Sequence, residues 1–263
     1  MSPKFGVFYT CYTEKAAVQF SLDKLWEIYP SCPVYLVSDG GSDFSDLSCS
    51  GRDIEIRTEE DSRGFIPFLT PETFRDPENQ SKIKQSILTF LDRVERAAQH
   101  SKEDLLLVME PDVLVRGKLE FFPDDAHVLG SRVNTGLSDE LRAVVTSVPG
   151  SIDVNTWGVT PAFFRVSTFR KAHNLLKDDA LLSRLIAADH RIANYDVLFA
   201  VMFALVGCPE VFNPELVECF RNPNWRSAWQ PLVHQFRENY PKSTDGYGGF
   251  HVRHKDGSGD RHA

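Results

Sequence analysis

Residues 104–117, DLLLVMEPDVLVRG, carry two carboxylates, Glu110 and Asp112, directly after an unbroken apolar run. Two hard oxygen donors one residue apart, with Pro111 fixing the backbone between them, suit Mg²⁺ or Mn²⁺. Such an ion takes one or two protein carboxylates and fills its other positions with phosphate oxygens and water. A solvated acidic turn capping a strand is the alternative that the chemistry alone leaves open. The formal net charge of −8, from 29 Lys and Arg against 37 Asp and Glu, argues against the broad electropositive surface that nucleic acid or anionic lipid requires. Cys11, Cys32, Cys49, Cys208 and Cys219 are scattered and nowhere form the close pairs of a zinc or redox site, so they read as buried free thiols of a reducing compartment.

The elements that must hold this acidic turn follow from hydrophobic periodicity. Phe5 to Tyr9 is a short apolar run, and Val18, Leu22, Leu25, Trp26 and Tyr29 then recur at helical spacing. Pro33 to Val37 and Ile54 to Arg57 read as two further strands, and this strand, helix, strand order implies parallel pairing. Residues 58–80 show no period and are expected to form a long surface segment closing over a site, or a disordered loop. Ile83, Ile87, Leu88, Leu91 and Val94 share one helical face, with Lys84, Gln85, Asp92, Arg93 and Arg96 largely elsewhere. Leu105 to Val108 form a continuous apolar run, the signature of a central strand covered on both faces.

After Gly117 the pattern is mixed: strand-like stretches near 127–133 and 158–166, then helices starting near Ser167, Asp178 and Asp196. The expected architecture is an α/β chain of 263 residues, with 42% hydrophobic residues against 25% charged, folded as one unit over 1–256 with a frayed tail at 257–263. Residues 1–117 would form one half of that unit and 118–256 a mixed α+β half. No apolar run approaches the roughly 20 residues that cross a bilayer, and the first residues lack an apolar signal core, so a soluble cytoplasmic protein is expected.

An acidic pair after a buried strand of a Rossmann-like half resembles the DXD motif of the GT-A class of glycosyltransferases, here in the variant form Glu110-Pro111-Asp112. The resemblance implies a mostly parallel central sheet flanked by helices and a divalent metal held by Asp112, with Glu110 reaching the donor ribose or a metal-bound water. Residues 5–13, FGVFYTCYT, resemble the first strand and nucleotide-facing loop of that class, which makes Thr10 and Tyr12 nucleotide-binding candidates. An ordinary loop with Thr13 as N-cap is the competing reading. The segment SDGG at 38–41 resembles the end of the second strand, where Asp39 would approach the nucleoside; an Asp-Gly turn explains it equally. Residues 248–256, GGFHVRHKD, resemble the late histidine-bearing segment, which implies His251 as a further metal ligand, with His254 as its competitor, and Lys255 as a diphosphate contact. Imidazole suits Mn²⁺ better than Mg²⁺, and Lys serves phosphate as a point charge. A polar C-terminal tail is the other account of that segment.

The resemblance implies transfer of a sugar from a nucleotide donor, a UDP-hexose, to a carbohydrate hydroxyl. Inversion requires a carboxylate base. Asp196, in Asn194-Tyr195-Asp196, stands in the segment resembling the one that supplies that base, although a helix N-cap or first-turn acid fits the same place. Asp153 is the second candidate, beside Asn155, Trp157 and Gly158 in a loop that looks sugar-facing. Trp225 and Trp229, four apart, form either an apolar platform for a sugar or helical core packing. Two rival functions remain: a sugar-nucleotide nucleotidyltransferase, disfavoured because residues 10–15 contain no glycine, and a non-catalytic carbohydrate-binding domain.

Overall fold

Alternation sets the first four strands. In a computed structural model of the chain, which describes residues 3–12, 15–59, 74–111, 115, 118–119, 122–124, 126–130, 134–157 and 162–212, β1 (Gly6–Cys11) leads into α1 (Lys15–Ile28), β2 (Val34–Asp39) and β3 (Ile54–Glu59). β1 and β2 pair in parallel, Val7 opposite Val34, and β2 pairs in parallel with β3, Val34 opposite Ile54. The parallel order expected from the sequence is therefore present.

Helix α2 (Pro77–Ser101) begins where its sequence provides a start signal. The Asp76 carboxylate accepts the Glu78 N–H at 2.8 Å, and Pro77 occupies the first turn, where its missing N–H costs nothing. The expected irregular segment is thus shorter than 58–80. Thr58 and Glu59 complete β3, α2 takes the other end, and residues 60–73 lie outside the described residues.

Strand β4 (Leu105–Met109) is buried along its whole length, because it lies between β1 and a later strand and is covered on both faces. β5 (Val128–Gly130) follows, then the two-residue strands β6 (Asn134–Thr135) and β7 (Thr156–Trp157), with α3 (Asp139–Thr146) between them. Next come β8 (Ala162–Arg165), α4 (Val166–Leu176), α5 (Asp179–Ala188), a 3-10 turn (His190–Ala193), α6 (Tyr195–Leu205) and β9 (Val211–Phe212). The main sheet has the order β3-β2-β1-β4-β8-β5-β9, with β8 antiparallel to both neighbours and every other pairing parallel. β6 and β7 make a separate antiparallel pair. This is a mostly parallel central sheet flanked by helices, the arrangement expected of the GT-A class, and strands from both halves of the chain share it.

The core has two layers. Phe8, Val37, Leu106 and Val108 pack under α2, α4, α5 and α6, whereas Val7, Tyr9, Leu36, Leu107 and Met109 pack under α1. Helix α6 is the most enclosed: all its residues except Asp196 are buried, as its nearly uniform apolar sequence requires. Cys11, Cys32, Cys49 and Cys208 are free thiols, and burial pushes Cys11 and Cys32 up, so they remain protonated; Cys219 lies outside the described residues. Among the described residues, no helix is long and apolar enough to cross a membrane.

Candidate active site at the carboxyl edge of the sheet

Because β1, β2, β3 and β4 run parallel, their carboxyl ends share one edge, the usual ligand-binding edge of an open α/β sheet. Tyr9 pairs with Met109, so Thr10 and Glu110 are the next residues on adjacent strands. Phe8, Val37 and Val108 face α2, and one further step of alternation brings Thr10, Asp39 and Glu110 to the same side. The fold thereby gathers three of the expected site residues from three separate stretches of sequence.

Asp39 is not merely a turn residue. Its carboxylate receives Nη1 of Arg93 at 2.5 Å, and Nε of the same arginine donates to Glu59 at 2.8 Å. Arg96 reaches Glu59 as well, at 2.7 Å. Asp39 and Glu59 are register partners on β2 and β3, so two like charges stand side by side, and the 2%-exposed guanidinium of Arg93 bridges them. The sequence reading set Arg93 largely off the apolar face. Its position, three after Phe90 and four before Ala97, in fact places it on that stripe.

The loops after β1 and β2 are locked by backbone. A Cβ on Gly41 would lie 1.6 Å from the Tyr12 carbonyl oxygen, so only glycine permits this approach. The same oxygen accepts the Ser42 N–H at 2.7 Å, and the Ser38 hydroxyl donates to Ser42 O at 2.6 Å. The Asp-Gly turn thus fixes Tyr12, whose side chain is exposed at this edge, while Thr10 is half-buried. Thr13 lies outside the described residues.

Glu110 is half-buried and Pro111 buried where β4 ends; Asp112, His251, His254, Lys255, Trp225 and Trp229 lie outside the described residues. Among the described residues, no three His, Cys, Asp or Glu side chains cluster as a metal site. The donor chemistry that is present, a carboxylate oxygen at the rigid end of a buried strand, fits a hard divalent cation.

The second half brings Asp196 to the same region. The ring of Tyr195 stacks on Phe90, centroids 3.3 Å apart, and Phe90 lies one turn N-terminal of Arg93 along α2. Since α2 runs antiparallel to the strands and Arg93 reaches their carboxyl ends, the first turn of α6 sits toward that edge. Asn194, not Asp196, is the N-cap: its side chain accepts the Asp196 N–H at 2.8 Å. Of the two helix-start roles expected as alternatives for Asp196, the cap belongs to Asn194, and Asp196 stands half-buried as the acid of the first turn.

Asp153 has a different environment. It is exposed and held by the Arg142 guanidinium, Nε donating at 3.0 Å with a second bond from Nη2. These bonds hold its carboxyl below the usual carboxylate range. A carboxylate so engaged makes a poorer proton acceptor than the sequence reading supposed. Asn155 follows it in exposed chain, and the Trp157 backbone lies in β7. Residues 158–160 lie outside the described residues.

A feature with no counterpart in the sequence reading is Asp189, 6% exposed. Burial alone would push its carboxyl up, but hydrogen bonds from the Arg191 side chain and N–H and from the Ser138 side chain bring it down to about 2.

No family model matches this chain, and no curated protein matches its sequence. Several solved structures are similar. The galactosyltransferase LgtC in complex with donor and acceptor sugar analogues aligns at 13% identity over 78% of this chain and 73% of that one, TM-score 0.46. The mannosyltransferase PcManGT from Pyrobaculum calidifontis, in complex with GDP-Man and Mn²⁺, aligns at 14% identity over 97% of this chain and 69% of that one, TM-score 0.42. The mannosyltransferase Ktr4p from S. cerevisiae, in complex with GDP, aligns at 12% identity over 69% and 63%, TM-score 0.41.

Proposed function

We propose that the chain is a metal-dependent glycosyltransferase of GT-A type, folded as one unit over residues 1–256, that moves a hexose from a UDP-linked donor to a carbohydrate hydroxyl with inversion. The observation that carries this reading is the emergence of Glu110 from the fully buried β4 beside Thr10 and Asp39, on one edge and one side of the sheet. Thr10, Tyr12 and Asp39 bind the nucleoside. Glu110, Asp112 and His251 would hold Mn²⁺ or Mg²⁺, and Lys255 would contact the diphosphate. A divalent cation held there supplies positive charge to the departing diphosphate.

Asp196 acts as the base. Its carboxylate takes the proton of the acceptor hydroxyl, whose oxygen bonds to the anomeric carbon as the bond to the diphosphate breaks. Its place in the first turn of α6, toward the carboxyl edge, supports this role over Asp153. The test is calorimetric titration with UDP, with and without Mn²⁺, followed by a screen of UDP- and GDP-hexose hydrolysis. Metal-dependent UDP binding with hydrolysis of a hexose donor is expected, with Glu110→Gln weakening binding about tenfold or more. Absence of metal-dependent nucleotide binding would overturn the reading in favour of a carbohydrate-binding domain.

A further inference from the structure

Residues 131–161 leave and rejoin the sheet at the site's own edge. β8 is antiparallel to both β4 and β5, with Ala162 opposite Val108 and Gly130, so Gly130 ends and Ala162 begins at the edge where Glu110 emerges. The described part of this excursion is fastened to α6 at two points. At the far end, the Ile152 N–H donates to Ala204 O at 3.0 Å. Five residues of extended chain from Ile152 span up to about 17 Å, and the eight residues from Ala204 back to Asp196 span about 12 Å of helix. That length is enough to carry residues 155–157 to the start of α6, and β7 packs on that helix.

The second fastening is a pair of side chains from the 3-10 turn just before α6. The buried Asp189 carboxylate accepts the Ser138 N–H at 3.3 Å, the Arg191 N–H at 2.9 Å, and Arg191 Nε and Nη2 at 3.0 and 2.6 Å. Nη1 of Arg191 continues to the Gly136 carbonyl at 2.6 Å. The Gly136 N–H in turn donates to Asn155 O at 3.2 Å, with Gly136 at φ 95°. One guanidinium thus joins three backbone segments: the turn at 189–191, the limb at 136–138 and, through it, Asn155.

We propose that Asp189 and Arg191 are positioning residues that clamp the 134–157 excursion onto the start of α6, fixing Asn155 and Asp196 as one wall for the acceptor hydroxyl. The acceptor role rests on the glycosyltransferase reading; the clamp itself does not. A bidentate Arg–carboxylate pair suits this because its fork geometry holds angle as well as distance. The residues proposed to hold the donor nucleotide lie on β1, β2 and β4, elements other than those the clamp joins.

The test compares Arg191→Gln and Arg191→Lys with the unaltered chain by three measurements: amide hydrogen exchange, UDP affinity in Mn²⁺, and turnover of the hexose donor with water or added monosaccharide. In Arg191→Gln, exchange at Gly136 and Ser138 should rise about tenfold or more while α5 is unchanged. UDP affinity should stay within about twofold and turnover should fall about tenfold or more, with Arg191→Lys recovering part of it. Unchanged exchange at 136 and 138 overturns the clamp. Raised exchange with full turnover overturns its acceptor role. If Arg191→Gln does not fold, Arg191→Lys carries the same readouts. If the unaltered chain turns over no UDP- or GDP-hexose, the glycosyltransferase reading fails and exchange alone decides the clamp.

Discussion

The proposed donor side and the proposed acceptor side of this site fix their polar groups by different means. On the donor side, Thr10, Asp39 and Glu110 are placed by strand register, and the geometry is a by-product of sheet hydrogen bonds and two packed faces. On the acceptor side, Asn155 belongs to exposed chain between two-residue strands, and its place depends on a few side-chain bonds through Asp189 and Arg191. A sheet edge is expensive to deform, whereas a clamp can be released by one substitution. The proposed donor side is therefore the harder to displace by a single substitution and the proposed acceptor side the easier.

The sharpest way to break this contrast is to attack the one place where the donor side also depends on a side chain. Arg93 is buried between Asp39 and Glu59, so Arg93→Ala leaves two neighbouring carboxylates facing one another without their bridge, with Arg96 still holding Glu59. The expected loss is about 3–5 kcal/mol of unfolding free energy by urea denaturation, together with weakened UDP binding. Asp39→Asn, which removes one charge and keeps the shape, should cost less. If Arg93→Ala loses less than the Arg191→Gln variant, the donor side is not the more rigid half.

The same contrast explains what could be read from the sequence. β1, β2 and β4 were legible because burial on both faces writes an unbroken apolar run, and α2 because one buried face writes a period of 3.6 into the residues. Helix α3 was not legible: with eight residues it buries only Leu141 and Val145, too few to establish a repeat. Arg93 was set off the apolar stripe because a charge is expected in solvent, and its buried place follows from partners 34 and 54 residues away that only the sheet brings together. Asp189 and Arg191 left still less trace, because their task is to hold backbone atoms of Gly136 and Ser138, and a carbonyl carries no sequence signature. Asp196 was placed correctly near a helix start, yet only the Asn194 side chain shows which residue caps it.

A smaller effect tests the clamp through protons. Asp189 is held at about 2, against about 3.9 for an unperturbed Asp. Its pKa is depressed in the folded state, so its contribution is present above about pH 4 and lost as pH falls toward 2. That contribution is roughly 2–3 kcal/mol. The charged and titratable groups beside it are the Arg191 guanidinium and the His190 ring, the latter 3.7 Å from the carboxylate. Asp189→Asn should lower stability most near neutral pH, and its gap from the unaltered chain should close between about pH 4 and 2. A gap that does not vary with pH would mean that the carboxylate's charge contributes nothing to the clamp.

The smallest effect compares two helix caps, one in each half. Asp76 caps α2, whose first buried residue is Ile83, so the opening turn lies largely in solvent and can fray with little loss of packing. Ser138 caps α3, and the N–H that it accepts belongs to Leu141, itself buried and one of only two residues that anchor the helix. Loss of a cap typically costs about 1 kcal/mol, but that cost is realised only where the helix cannot retreat from its first turn. Ser138→Ala should therefore lose about 1 kcal/mol by urea denaturation, and Asp76→Ala only a few tenths. The Ser138 N–H to Asp189 is a backbone bond and survives the substitution, whereas the side-chain bond from Ser138 to Asp189 is lost with it, so the cap is read by making Ser138→Ala in the Asp189→Asn background. Equal losses, or a larger loss at Asp76, would show that the first turn of α2 is as firmly held as α3 and would remove the energetic difference drawn between the two halves at their helix starts.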